Sequence, residues 1–244
     1  MGSQEATSVA AIELLSERIA RVRERIARAA SRAGRDPAEV TLVAVTKSFP
    51  AEVVRGAIDC GLTVFGENRV QEARAKIPLV GRPGLSWHLV GSLQRNKVKY
   101  CFDLFDLIHS VDSVALAEEI ERRAASKDEA MDVLIEVNAA GEASKCGVAP
   151  DEAVALARAV GRLERVRLRG LMTMPPLVAE PEANRGHFRA LRLLRDEIGR
   201  AGLEGVDMTH LSMGMTGDFE VAIEEGATIV RIGTALFGPR ETHR

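Results

Sequence analysis

The stretch HLSMGMTGDFEVAIEEGATIVRIGTALFG, residues 210–238, sets one β-rich run, a turn, a helical run and a second β-rich run in order. His210–Ser212 and Thr228–Ile232 read as short buried strands. Thr216–Glu225 reads as the helix that carries the chain back between them, the crossover that two parallel strands require. Each strand ends in a turn of small residues. Ser212-Met213-Gly214-Met215-Thr216-Gly217 follows the first, and Arg231-Ile232-Gly233-Thr234 ends the second. One such unit fits many α/β folds, so the count of repeats decides.

Working outward, the alternation recurs six more times. Strands are expected at Thr41–Thr46, Thr63–Phe65, Trp87–Val90, Leu107–His109, Val133–Val137 and Arg167–Thr173. Helices are expected near Ala51–Cys60, Val70–Ile77, Leu93–Cys101, Ser113–Ala125, Pro150–Arg162 and Pro181–Ala201. Gly61 and Gly226 follow helices and Asp112-Ser113 precedes one, as termination and capping require. Eight strands alternating with helices predict an α/β fold, a closed (β/α)8 TIM barrel. The 244 residues suit a barrel of roughly 250. An open doubly wound sheet is the alternative, weakened because no Gly-x-Gly-x-x-Gly follows an early strand.

No linker, repeat or low-complexity tract divides the chain, and the Pro-rich stretch Pro175–Pro181 reads as one barrel loop. A single domain over residues 1–244 is expected, with the barrel at 40–238 and an N-terminal helix at 8–33. In that helix Ile12, Leu15, Ile19, Val22 and Ile26 form one apolar stripe, and Gly34 and Pro37 stop it. A coiled coil would use the same stripe, but it spans few heptads. Few residues follow the eighth strand, so the helix is expected to cover the place of an eighth outer helix.

Hydrophobic residues make up 46% and charged residues 28%, enough for a full core and a soluble surface. Lys and Arg number 33 against 35 Asp and Glu, a net charge of −2. That balance gives no electrostatic footprint for nucleic acid, and Arg162–Arg169 reads as solvated faces and turns. Cys60, Cys101 and Cys146 are odd in number and widely spaced, without a metal or redox pattern. Reduced thiols in the cytoplasm are expected. No apolar stretch suggests a signal peptide, and none reaches the ~18 residues of a membrane span. Met1-Gly2 would suit myristoylation, but Ala6 stands where Ser or Thr is required.

Active sites of such barrels lie at the C-terminal strand ends. Lys47 ends the first strand after Leu42-Val43-Ala44-Val45. Desolvation at a barrel mouth lowers a lysine's pKa and leaves a neutral amine able to attack an aldehyde; a lysine snorkelling to the rim is the plainer alternative. Asn68, His88, His109 and Lys145 also fall on or after strands, and each alone reads as structural or surface. The turns after strands seven and eight form the usual phosphate site of this architecture. A phosphate cradle opposite an aldehyde-reactive lysine is what pyridoxal 5′-phosphate (PLP) requires.

Several segments together resemble the YggS/PROSC family of pyridoxal phosphate homeostasis proteins. They are Leu42–Lys47 with Ser48-Phe49-Pro50, Phe65–Glu72, Trp87–Lys97, Gly170–Met174, Leu211–Met215 and Val230–Gly238, in order from about Val40 to Gly238. The resemblance implies a barrel of the alanine racemase N-terminal domain type, PLP fold type III. It implies a PLP Schiff base on Lys47, phosphate contacts from Ser212, Gly233 and Thr234, Arg231 facing the pyridine nitrogen, and Asn68 near the ring. Lys145 falls where the racemase pattern has an arginine near the phenolic oxygen, and Met174 where it has a ring-stacking histidine. Thr216-Gly217-Asp218 departs from the usual Ser followed by a polar residue, though Thr keeps the hydroxyl.

Three functions stay open at this level: a protein of vitamin B6 homeostasis that holds PLP without turnover, a racemase-like PLP enzyme, and a partner-binding protein. The first is favoured. An arginine facing the pyridine nitrogen supplies no proton to it, and racemisation needs a second base, a tyrosine in alanine racemases. The only tyrosine, Tyr100, is expected away from the mouth. Expected partners are PLP and the apo-enzymes that receive it, with no membrane and no nucleic acid, and the protein is expected to be a monomer.

Overall fold

The computed structural model describes residues 2–142 and 146–239, with side chains from residue 11 onward. Eight parallel strands pair in chain order and close on themselves. They are β1 Thr41–Val45, β2 Val64–Glu67, β3 Ser86–Leu89, β4 Leu107–Val111, β5 Met131–Glu136, β6 Val166–Met172, β7 Val206–Ser212 and β8 Ile229–Ile232. Closure is made by β8 against β1, with Thr41 beside Ile229 and Val43 beside Arg231.

Alternation along the strands divides the apolar residues into two cores. Val43, Val45, Val90, Leu107, Leu134, Met172 and Ile229 fill the barrel interior. Ala44, Phe65, Trp87, Ile108, Val230 and Ile232 face the other way and join the outer core. The interior is tight at Gly66, where a Cβ would stand 2.9 Å from Val43 Cγ1.

The outer layer holds α1 Gly2–Arg32, α2 Ala51–Asp59, α3 Val70–Val80, α4 Val114–Lys127, α5 Pro150–Val160, α6 Arg185–Arg200, α7 Phe219–Glu224 and α8 Thr234–Phe237. Helix α1 packs across α2, α7 and α8, the place of a missing outer helix. Its stripe buries Ile19, Val22 and Ile26, with Ala29 and Ala30. Ile12 stays 39% exposed, beyond the contact. Arg25 and Arg32 meet Glu220 and Glu224 at 2.8 Å each. Arg35 donates to the Ile223 and Ala227 carbonyls at the end of α7.

Several boundaries differ from the sequence reading. Helix α1 begins at Gly2, not residue 8. Leu93–Cys101 is not an α-helix but a 3₁₀ segment over Arg95–Tyr100. Buried Val98, Cys101 and Leu104 recur every third residue, the period of that tighter helix. Pro181–Ala201 divides into a 3₁₀ turn, Pro181–Asn184, and α6. Helix α7 begins at Phe219, because the Asp218 carboxylate accepts the Met215 N–H at 2.7 Å and holds Thr216 and Gly217 in a turn. The arginines of Arg162–Arg169 are not simply solvated: Arg165, Arg167 and Arg169 pair with Asp128, Asp132 and Asp207. The cysteines described are all free. Among the described residues no helix is long and apolar enough to cross a membrane.

Candidate functional site

The parity that places Val43 and Val45 inside the barrel brings Lys47, two residues past the end of β1, inward as well. On β8 it brings in Ile229, Arg231 and then Gly233. These inward positions converge on a cavity of about 500 Å³ at the C-terminal mouth. Six of the eight residues expected from sequence border it: Lys47, Asn68, Met174, Arg231, Gly233 and Thr234. Lys145 lies outside the described residues.

Ser212 is placed elsewhere. It is fully buried and does not border the cavity. Its Oγ accepts a hydrogen bond from Arg231 and contacts His109 Nδ1 at 2.9 Å. The hydroxyl that faces the cavity from the β7 turn is Thr216, four residues on. Its Oγ1 also accepts the Ala235 N–H at 3.2 Å, joining the β7 turn to the β8 turn. Asn184 fixes a third loop by donating to Asp218 at 2.8 Å and to the Pro176 carbonyl at 3.0 Å. Sequence reasoning placed Thr216 beside the motif but gave the contact to Ser212. Only the side on which each hydroxyl emerges from the strand end separates the two. Apolar walls come from Val45, Phe49, Val90, Pro175, Leu177 and Met215, which carry no chemical signature in sequence.

Arg231 is 4% exposed. Burial lowers its pKa to about 10, so it stays protonated at neutral pH. Its second nitrogen donates to the Thr173 carbonyl at 2.8 Å. Guanidinium groups only donate, so Ser212 Oγ accepts from Arg231 and, on its other side, shares a hydrogen bond with His109 Nδ1. His109 Nε2 shares a hydrogen bond with His88 Nδ1 at 3.0 Å, and His88 Nε2 another with Ser86 Oγ at 3.2 Å. Both rings are held neutral by burial, His88 with its pKa lowered to about 4 and His109 well below its ordinary value. Across the interior Glu136 is 3% exposed. Burial raises its carboxyl to about 7, the Arg231 charge opposes that rise, and Asp112 adds to it.

The mouth thus offers an amine, a fixed cation and two hydroxyl-bearing turns around a partly apolar cavity. Among the described residues no cluster of His, Cys, Asp or Glu could hold a metal ion.

The sequence matches the family described as "Alanine racemase, N-terminal domain" over residues 18–241. The pyridoxal phosphate homeostasis protein of Aquifex aeolicus is 51% identical over 225 residues, 92% of this chain and 98% of that one. The solved structure of PipY from Synechococcus elongatus with PLP bound has a TM-score of 0.79 at 37% identity, covering 92% of this chain and 100% of that one. An alanine racemase of Clostridium difficile shares the fold alone. Its TM-score is 0.71 at 16% identity, over 95% of this chain and 58% of the racemase.

Proposed function

The chain belongs to the family of the alanine racemase N-terminal domain, and on that premise we propose that its barrel mouth binds PLP and serves PLP homeostasis. The curated relatives at 40–51% identity are named for that role, and PipY was solved with PLP bound. The observation that carries the reading is the convergence of Lys47, Arg231 and the Thr216, Gly233 and Thr234 rim on one cavity.

The residues fit the group. PLP supplies an aldehyde carbon open to amine addition and a ring that can spread charge. Thr216, Gly233 and Thr234 would hold its phosphate, Arg231 would face the ring nitrogen, and Val45, Val90, Met174 and Met215 would line the ring. Asn68 lies alongside. Lys47 is the residue whose amine would hold the aldehyde.

These residues suit holding better than turnover. Arg231 keeps its proton at neutral pH, so it stabilises the ring nitrogen without protonating it. Tyr100, the single tyrosine, packs outside the barrel beneath the Arg74 guanidinium, 3.9 Å from the ring centroid. His88 and His109 are neutral and committed to the buried chain below Arg231. The protein therefore stores PLP and releases it to apo-enzymes.

Borohydride reduction of the PLP-loaded protein, followed by peptide mapping, tests the assignment. The pyridoxyl mass is expected on the peptide containing Lys47. Label found mainly on another lysine of the wild-type protein would refute it.

A further inference from the structure

Lys47 is presented by a tight turn. The Phe49 N–H returns to the Thr46 carbonyl at 3.1 Å, with Lys47 and Ser48 at the turn's centre. Ser48 has φ of 66°, the left-handed region that such a turn normally fills with glycine. A side chain there is strained, so something else must hold the turn.

The neighbouring elements supply it. The register of β1 on β2 sets Val45 beside Gly66, and hence Thr46 beside Glu67, on the outward side. Helix α3 covers that side with Lys76 and Glu72. Lys76 is 5% exposed and Glu67 fully buried. Lys76 Nζ donates to Glu67 Oε1 at 2.6 Å, to the Thr46 carbonyl at 2.7 Å and to Glu72 Oε1 at 3.0 Å. An ammonium has three donors, and all three are used. Thr46 Oγ1 donates to the same Glu67 oxygen at 2.7 Å. Glu72 Oε1 accepts the Ser48 N–H.

A buried ion pair is a poor device for stability alone, since desolvation consumes most of the attraction. Here its contacts fall on the two residues that flank Lys47. We infer that Lys76, Glu67 and Glu72 form a clamp that positions Lys47 by gripping Thr46 on one side and Ser48 on the other. The inference rests on the reading of Lys47 as the PLP lysine. When the neutral Lys47 amine adds to the aldehyde carbon and water leaves, the clamp spares the turn from being ordered at that moment. These are positioning residues, because none of them borders the cavity.

The test compares PLP with pyridoxamine 5′-phosphate, which has an amine in place of the aldehyde and fills the same cradle without bonding to Lys47. Glu72→Ala removes the grip on Ser48 and leaves the Lys76–Glu67 pair in place. It is expected to weaken PLP binding about tenfold, the scale of one lost charged hydrogen bond, and to leave pyridoxamine 5′-phosphate within about twofold. Glu72→Gln keeps an acceptor for Ser48 and is expected to restore PLP affinity. A melting curve confirms that each variant is folded. Equal weakening of both ligands, or unchanged PLP affinity with Lys47 still labelled, would overturn the clamp. Label on a different lysine in the wild-type protein would instead remove the reading beneath it.

Discussion

Replacing Glu136 with Gln should stabilise the protein several times more at pH 8 than at pH 5. Glu136 is almost wholly buried, and its carboxyl titrates near 7 in the folded chain instead of at its ordinary 4.5. Burial is the main cause, and the charge of Arg231 offsets only part of it. Between about pH 4.5 and 7 the folded state keeps a proton that the unfolded chain has released. The folded state then binds more protons, so stability falls as pH rises through that window. The accumulated cost is about 3 kcal/mol, absent below the window and fully present above pH 7. Glutamine fills the same volume without ionising, so it escapes the cost. Urea denaturation of ligand-free wild type and Glu136→Gln at the two pH values measures the difference directly. A gain of equal size at pH 5 and pH 8 would refute the argument, because a pH-independent gain cannot come from ionisation. Loss of stability at pH 8 would mean that the charge of Glu136 supports Arg231 more than burial opposes it.

Two further outcomes follow from the mouth. Thr216→Ala and Thr234→Ala should each weaken PLP binding by several-fold to about a hundredfold and leave affinity for unphosphorylated pyridoxal nearly unchanged; titration of both ligands checks it, and equal losses for the two would remove the phosphate cradle. The PLP-loaded protein should exchange the α-protons of L-amino acids with solvent deuterium no faster than free PLP does, by NMR, and rapid exchange with formation of the D-isomer, lost in Lys47→Ala, would restore the racemase-like reading.

What could be read from sequence was whatever depends on alternation and on small residues at strand ends. The β8 segment shows both: its apolar alternation gives a strand, and Gly233-Thr234 gives the turn. Lys47 was legible for the same reason, as a charge where the alternation points inward. Ser212 and Thr216 were not separable, because local sequence does not say which of two nearby hydroxyls clears the strand end. In the structure Ser212 bonds to Arg231 and Thr216 borders the cavity. The 3₁₀ segment over Arg95–Tyr100 was misread because repeats of three and of 3.6 differ little over so short a run. The clamp was not legible at all. Glu67, Glu72 and Lys76 look like ordinary helix and strand-end charges until the β1–β2 register places Thr46 against them.

The position of the site on the seam of the barrel has a consequence for how binding and folding act on each other. Lys47 follows β1 and the Gly233-Thr234 turn follows β8, so the two ends of the cavity come from nearly opposite ends of the sequence. They become neighbours only through the β1–β8 pairing that closes the barrel. Helix α1 reinforces the same seam, because it packs on α2 after β1 and on α7 and α8 beside β8. A ligand that spans Lys47 and the β8 turn therefore binds the closed barrel and not an opened one. By linkage, its binding free energy adds to the closure: a hundredfold excess over the dissociation constant contributes about 2.7 kcal/mol. The dependence is reciprocal, so any change that loosens the seam must weaken binding even where no contact to the ligand is touched.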